Sequence, residues 1–408
     1  MKVTLINHSD TLGGASVVTF RLTEALRRRG VDARMLVTQK NSDSPFVEQA
    51  TTRLRGRIPF YREHLGIFTH NGFSKKRLFQ VSTGSDGLPL SRHPLVAESD
   101  AIILNWVNQG MLSLDEIGRI ARMKPTFWTM HDQWNFTGIC HHTGGCERFT
   151  THCHDCPFLG CMASKQDLSS RVFDRKKALY DSTAITFVAV SEWLAGRARQ
   201  SALLSGRPLA TIYNPFDVEN FRKSTQSRRE PGLPEGKKLI VFCAARIDDP
   251  GKGLREAVGL LNGIAATHGD TAEAVFVGAL RNPEALGDLR LRHVVTGAVT
   301  PDRIPSIMGR ASVVLSTSPF ETLATTLIEA QAAGATPVGY IHDGRGDIIT
   351  DGVNGYALEG NMAADINTLR KALDCPIGEE ALLKAAGRFS EDRVAQSYID
   401  LIEGKITV

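Results

Sequence analysis

Two carboxylates, Glu321 and Glu329, stand with seven residues between them in Ser-Pro-Phe-Glu321-Thr-Leu-Ala-Thr-Thr-Leu-Ile-Glu329-Ala. The apolar run Val313-Val314-Leu315-Ser316 before them reads as a strand, and the run after them reads as a helix stopped at Gly334. Glu321 is then at the mouth of a strand-to-helix loop and Glu329 about two turns inside the helix. An ionised carboxylate is a pure acceptor, suited to paired hydroxyls such as those of sugars and ribose. Upstream, the apolar run Leu239–Ala244 leads into Ala245-Arg246-Ile-Asp-Asp-Pro-Gly-Lys252-Gly253. A strand end, an Arg fork, a Lys charge and a helix start make an anion site, without the Gly and Lys-Ser/Thr spacing of a Walker loop. Gly13-Gly14 follows the first strand and permits close backbone approach to a ligand. It is not a Gly-x-Gly-x-x-Gly fingerprint, so no dinucleotide cofactor is expected.

These residues need a scaffold that presents strand ends. The chain has 408 residues, enough for two domains. In the N-terminal half, Val3–Asn7, Ala33–Thr38, Ala101–Asn105, Thr126–His131, Thr186–Val190 and Thr211–Tyr213 read as strands alternating with helices. The polar, Pro/Gly-rich stretch 222–237 reads as a linker. The alternation restarts with Leu239–Ala244, Ala274–Gly278, His293–Thr296, Ser312–Ser316 and Thr336–Tyr340. The expectation is α/β throughout: residues 1–221 as one doubly wound Rossmann-like domain, with a C-terminal helix (390–408) packing back on it, and 238–389 as a second.

Net charge is +4, unevenly spread: residues 1–230 hold 31 Lys/Arg against 21 Asp/Glu, and residues 231–408 hold 17 against 23. The basic excess peaks in 53–77, where Arg53, Arg55, Arg57, Arg62, Lys75, Lys76 and Arg77 face the single acid Glu63 among aromatic and aliphatic residues. A peripheral contact with an anionic membrane, a site for a phosphate-bearing acceptor and a solvated surface loop all fit that composition. No nucleic-acid signature accompanies it, so no nucleic-acid partner is expected. No run reaches the ~18 apolar residues of a membrane span. The N-terminus reads as a strand rather than a secretory leader, so a cytoplasmic location is expected, with the inner membrane face open.

Cys140, Cys146, Cys153, Cys156 and Cys161 fall within 22 residues, with Cys153-His-Asp-Cys156 as a close pair. In a reducing compartment such a cluster suits a structural zinc on Cys140, Cys146, Cys153 and Cys156, with His141, His142, His152 and His154 as nearby alternative ligands and free packing thiols or a disulfide as the other uses.

Taken together, Glu321-(seven residues)-Glu329, Arg246 six positions before Lys252, Val190-Ser-Glu-Trp-Leu, Tyr213-Asn-Pro-Phe-Asp and Asp351-Gly-Val-Asn-Gly-Tyr resemble the retaining glycosyltransferases of GT-B fold, the group 1 or family 4 set. Met130-His131-Asp132-Gln-Trp and the cysteines resemble the colanic-acid-type polysaccharide branch. The resemblance implies two Rossmann-like domains facing across a cleft. It implies transfer of a sugar from a UDP- or GDP-sugar to a saccharide on a lipid carrier, with retention and no catalytic metal, in exopolysaccharide, capsule or O-antigen synthesis. By match, Arg246 and Lys252 hold the diphosphate, with the Leu323 and Ala324 backbone N–H groups at the phosphate. Glu329 binds ribose, Glu321 the donor sugar, and His131 the sugar or the acceptor hydroxyl. Asp343-Gly344 stands where many relatives have Gly-Gly. The rival readings are a GT-B phosphorylase, a nucleotide-sugar epimerase, and a non-catalytic zinc-stabilised sugar-binding scaffold.

Overall fold

The computed structural model describes residues 1–226, 230 and 232–406, in two compact units. The first unit comprises Met1–Pro215 and Glu391–Val408, and the second Phe216–Ser390. The first is built on seven strands: β1 (Lys2–Ser9), β2 (Asp32–Gln39), β3 (Val47–Gln49), β4 (Ala101–Leu104), β5 (Thr126–Met130), β6 (Ile185–Ala189) and β7 (Leu209–Thr211). The second has six: β8 (Lys238–Arg246), β9 (Ala272–Ala279), β10 (His293–Gly297), β11 (Ala311–Ser316), β12 (Thr336–Tyr340) and β13 (Tyr356–Leu358). Their orders are β3-β2-β1-β4-β5-β6-β7 and β10-β9-β8-β11-β12-β13. Neighbours run parallel, as in Ile6 opposite Leu104 and Val314 opposite Val241.

Both orders reverse direction beside their first strand, the doubly wound pattern whose switch points lie at β1/β4 and β8/β11. A parallel strand is covered on both faces, which explains the apolar run of β8 and the buried run Val3–Asn7 of β1, where Thr4 and Asn7 are buried with their apolar neighbours. Along β8, Ile240 and Phe242 pack with Leu260, Leu261 and Ile264 on one face. Leu239 and Val241 pack with Ile307, Met308 and Ala330 on the other.

The chain returns to the first unit in its last helix, Glu391–Ile402. Val394, Tyr398 and Leu401 join Leu5, Leu22, Ile103 and Phe127 in one core. The Tyr398 hydroxyl lies 2.8 Å from Oγ1 of Thr129, Arg28 pairs with Glu391, and Arg29 donates to Gln396. The expected linker, 222–237, begins inside the helix Val218–Gln226, where Phe221 packs against the second unit's core. The polar residues around Phe221 gave that helix the composition of a linker. Residues 227–229 and 231 of the same segment lie outside the described residues. The short edge strands β3 and β13 are additions to the sequence reading.

Candidate functional site

In the second unit, the switch point gathers the residues singled out by spacing. β8 ends on Arg246, which donates to Asp249 at 2.8 Å and approaches Asp248 at 3.7 Å. Nε of Arg246 and Oδ1 of Asp248 face each other across that 3.7 Å, buried and too far apart to share a hydrogen bond. The other Asp248 oxygen accepts from the Arg281 and Asn282 N–H groups and ties the loop after β8 to the one after β9. Gly253 opens the helix Leu254–His268 with φ +70, and an added Cβ would lie 1.9 Å from the Thr317 carbonyl oxygen. Only glycine fits that contact, which Thr317 Oγ1 closes by donating to the Gly253 carbonyl at 2.7 Å.

The loop after β11 brings Glu321 to the same place, and Lys252 Nζ donates to its Oε1 at 2.8 Å. The backbone N–H of Glu321 donates to Asp343 Oδ2 at 2.8 Å, and the Gly344 N–H donates to the Glu321 carbonyl at 3.1 Å. Asp343 is itself held by a two-pronged contact from Arg345, at 2.9 and 2.8 Å, and Arg345 also donates to the Ser318 carbonyl at 2.6 Å. Both members of that pair are buried, 1% and 0% exposed, so each charge has its partner where water is excluded. Asp343-Gly344 therefore braces the Glu321 loop. Gly344 has no room for a Cβ, which would meet the Thr322 carbonyl at 1.8 Å.

The helix Thr325–Ala332 starts after Ala324 with no side-chain cap on its first turn, which leaves its N-terminal amide dipoles available to an anion. Leu323 and Ala324 are buried there, and Glu329 lies half-buried one helical face further on. Burial, with the Glu329 carboxylate adding to it, pushes the neighbouring Cys243 thiol up to about 12, which places Glu329 beside β8. The second unit thus brings Arg246, Lys252, Glu321, the Leu323–Ala324 turn and Glu329 to one end of its sheet.

In the first unit, β1 turns through Gly13, φ +92, into the helix Gly14–Arg28, and the space over Gly13 and Gly14 is open. Buried Asn7 fastens this turn: it donates to Ser9 and Ser16 and accepts from the Trp106 N–H. His131 follows β5 and its Nε2 lies 3.1 Å from Oδ1 of Asn105. With that amide oxygen accepting, Nε2 carries the proton and Nδ1 remains an acceptor. Burial pushes His131 down to about 4 against a smaller opposing pull from Asp132, so the ring is neutral near pH 7.

Asp132 accepts from Trp106 Nε1 at 3.1 Å and from His141 Nδ1 at 2.7 Å, and His141 Nε2 reaches Ser82 Oγ at 3.0 Å. Burial alone would raise the Asp132 carboxyl, but the charge and hydrogen bond of His141 outweigh it and hold it at about 2. Trp106 is absent from the sequence reading, Asn105 enters it only as a strand end, and His141 only as an alternative metal ligand. Their one legible signal is position, just past β4 for the first pair and inside the cysteine-rich loop for the third.

Cys140, Cys146, Cys153 and Cys156 line one small cavity with Phe158 and His154. Among the described residues, no three His, Cys, Asp or Glu side chains stand where they could hold a metal ion. The Cys153 sulfur accepts from the Gly138 N–H at 3.2 Å, and burial pushes the Cys140 and Cys153 thiols up to about 12.

Residues 223–389 match the family model described as "Glycosyl transferases group 1". The second unit is a glycosyl transferases group 1 domain. Among curated proteins, the chain is 26% identical over 233 residues to spore coat protein SA of Bacillus subtilis, covering 52% of this chain and 61% of that protein. It is 53% identical over 32 residues to the putative colanic acid biosynthesis glycosyl transferase WcaC of Escherichia coli, 8% of each. The chain thus spans less than two thirds of each of these relatives. The structure of Anabaena Alr3699/HepE in complex with UDP-glucose superposes with a TM-score of 0.62 at 18% identity, covering 99% of this chain and 100% of that one. At that identity the likeness establishes the GT-B fold class. The group 1 domain holds the Lys252–Glu321 pair, and the brace formed by Asp343 and Arg345 belongs to it as well.

Proposed function

We propose that this chain is a retaining glycosyltransferase that moves a sugar from a nucleoside-diphosphate sugar to a hydroxyl of a saccharide acceptor on a lipid carrier, in the synthesis of a surface polysaccharide. The observation that carries the reading is the juxtaposition of Lys252 with Glu321 at 2.8 Å, beside Arg246, at the switch point of a group 1 domain. Cations and an uncapped helix start suit a diphosphate, and the adjoining carboxylates suit the hydroxyls of sugar and ribose. Anabaena Alr3699/HepE, similar in fold, is solved in complex with UDP-glucose and with UDP, which supports a nucleotide-sugar donor here. As the bond from the anomeric carbon to the diphosphate breaks, negative charge grows on the leaving oxygens. Arg246, Lys252 and the first-turn amides then stabilise it without a divalent ion. Neutral His131 offers Nδ1 to a sugar or acceptor hydroxyl.

A panel of UDP- and GDP-sugars in a thermal-shift assay tests this. One donor should raise the melting temperature with ligand concentration, and the same donor should release nucleoside diphosphate, undiminished by a chelator. Failure of every donor on both counts overturns the reading. An inverted anomeric product, read by NMR, would remove retention alone.

A further inference from the structure

The helix Arg53–His70 is built inside out. Its buried face carries Gly56, Pro59, Glu63 and Ile67. Its exposed face carries Leu54, Ile58, Tyr61 and Leu65, at 75%, 46%, 62% and 63% exposure. At about 100° per residue, these four side chains fall within an arc of about 60°, and the buried four lie opposite. Arg53 and Arg57 flank the apolar stripe on one side, Arg55 and Arg62 on the other, all four exposed.

Glu63, the one acid of the helix, is turned away from solvent. Its Oε1 accepts from the Thr83 N–H, the Thr83 hydroxyl and the Gly84 N–H at 2.6, 3.0 and 2.9 Å. The outward face is therefore apolar at its centre and cationic at both margins, with no acid among the helix's own exposed residues; Asp86, beyond the helix, approaches Arg62 at 3.6 Å. The helix cannot turn its stripe inward. An added Cβ on Gly110 would lie 2.3 Å from the Phe60 nitrogen, and one on Gly56 would lie 2.7 Å from Thr38, so both faces of the contact are fixed by close approach. Beyond the helix, Phe73 and Phe79 are 68% and 62% exposed, with Lys75 and Lys76 alongside.

A ribbon of four large apolar side chains in water is unfavourable unless something covers it. The charge pattern selects the cover. We infer that this helix lies in the plane of an anionic lipid bilayer, with Leu54, Ile58, Tyr61 and Leu65 inserted at the level of the headgroups and the four arginines paired to lipid phosphates. Arginine stems run along the apolar margin while their guanidinium groups reach the headgroups. A protein partner would have to match two parallel arginine rows around an apolar centre, whereas a bilayer supplies phosphates on every side of the inserted stripe. No described helix of the chain is long and apolar enough to cross a membrane, so the contact is a surface one. The inference rests on the first unit alone and stands whether or not the chain transfers a sugar.

Co-sedimentation of the full chain with vesicles tests it. Vesicles of phosphatidylcholine with about a third phosphatidylglycerol should bind the chain, and pure phosphatidylcholine should bind it at least tenfold more weakly. Replacing Arg53, Arg55, Arg57 and Arg62 with Gln should lower the binding to anionic vesicles at least tenfold, and so should Leu54→Ser with Tyr61→Ser and Leu65→Ser. All these side chains are exposed, so both variants should keep the wild-type melting temperature and any nucleotide-sugar shift. Equal partitioning of wild type and variants overturns the inference. So does a wild-type dimer that the serine variant makes monomeric while vesicle binding stays at background, since the stripe would then be covered by a second copy of the chain. Loss of donor response with vesicle binding intact would count against the transferase reading and leave this one standing.

Discussion

Lys252 and Glu321 are hydrogen-bonded to each other at 2.8 Å, so the two residues assigned to diphosphate and sugar do not act separately. Removing either leaves the other with an unanswered charge at a half-buried site. Glu321→Gln should lower turnover by about 100-fold or more, the scale of losing one preorganised polar contact in a transition state. Lys252→Ala should raise the donor requirement and lower turnover together. The double variant should be little worse than the poorer single one, because coupled residues are non-additive. Steady-state release of nucleoside diphosphate from the four proteins measures this, and losses that multiply would separate the two roles again. Glu329, away from this pair, should affect mainly donor affinity. A second residue-scale expectation concerns protons. Burial depresses both His8 and His131 to about 4. In the unfolded chain both titrate near pH 6.5, so between about pH 6.5 and 4 the unfolded state binds more protons than the folded one. Stability contributed by the two neutral rings is therefore present above that window and lost as pH falls through it. Thermal melts from pH 7.5 to 4.5 should show a falling midpoint, with a shallower fall in His8→Asn and His131→Asn. An equal slope in the variants would place the acid sensitivity elsewhere.

At the scale of elements, the site depends on two loops that glycine alone allows. Gly253 is left-handed, and its Cα faces the Thr317 carbonyl so closely that a methyl group would stand 1.9 Å from that oxygen. Gly253→Ala should cost on the order of 2–3 kcal/mol, from the backbone penalty and the displaced loop. Because the displaced loop joins β11 to Glu321, donor response should fall with the melting temperature; an unchanged melt would mean the loops are not packed as described. The strands that carry these loops were legible in sequence because parallel strands are apolar on both faces, as in Leu239–Ala244 and Thr336–Tyr340. Glu321, Glu329, Arg246 and Lys252 were legible because each lies a fixed, short distance from such a strand. Other features had no such signal. β3 and β13 are three-residue edges, too short to show a period. Trp106, Asp132 and His141 meet through loops from different strands, and sequence distance does not encode that contact. Asp343 gave only a departure from a family pattern, and its use became visible once its carboxylate was placed on the Glu321 amide. The cysteines showed a cluster in sequence, and the fold gathers four of them around one small cavity, a proximity that spacing alone does not fix.

At the scale of the whole molecule, the chain closes by returning its last helix to the unit where it began. Val394, Tyr398 and Leu401 are 2%, 2% and 4% exposed, and they fill the same core as Leu5, Leu22 and Ile103. Burying each such side chain stabilises by about 1.5–3 kcal/mol. Losing all three approaches the entire ~5–15 kcal/mol by which a domain is stable. A chain ending at Ser390 should therefore lose the folded first unit, although it keeps every strand of that unit's sheet. The second unit keeps its own two cores on β8 and should survive. Limited proteolysis should then digest the segment before Phe216 and protect a fragment starting near it, and the response to nucleotide sugar should be read on that fragment. A milder probe, Tyr398→Phe, removes only the hydroxyl contact with Thr129 and should cost about 1 kcal/mol. If the truncated chain resists protease as the full chain does, the last helix merely lies on the first unit's surface and the shared core assigned to it is wrong.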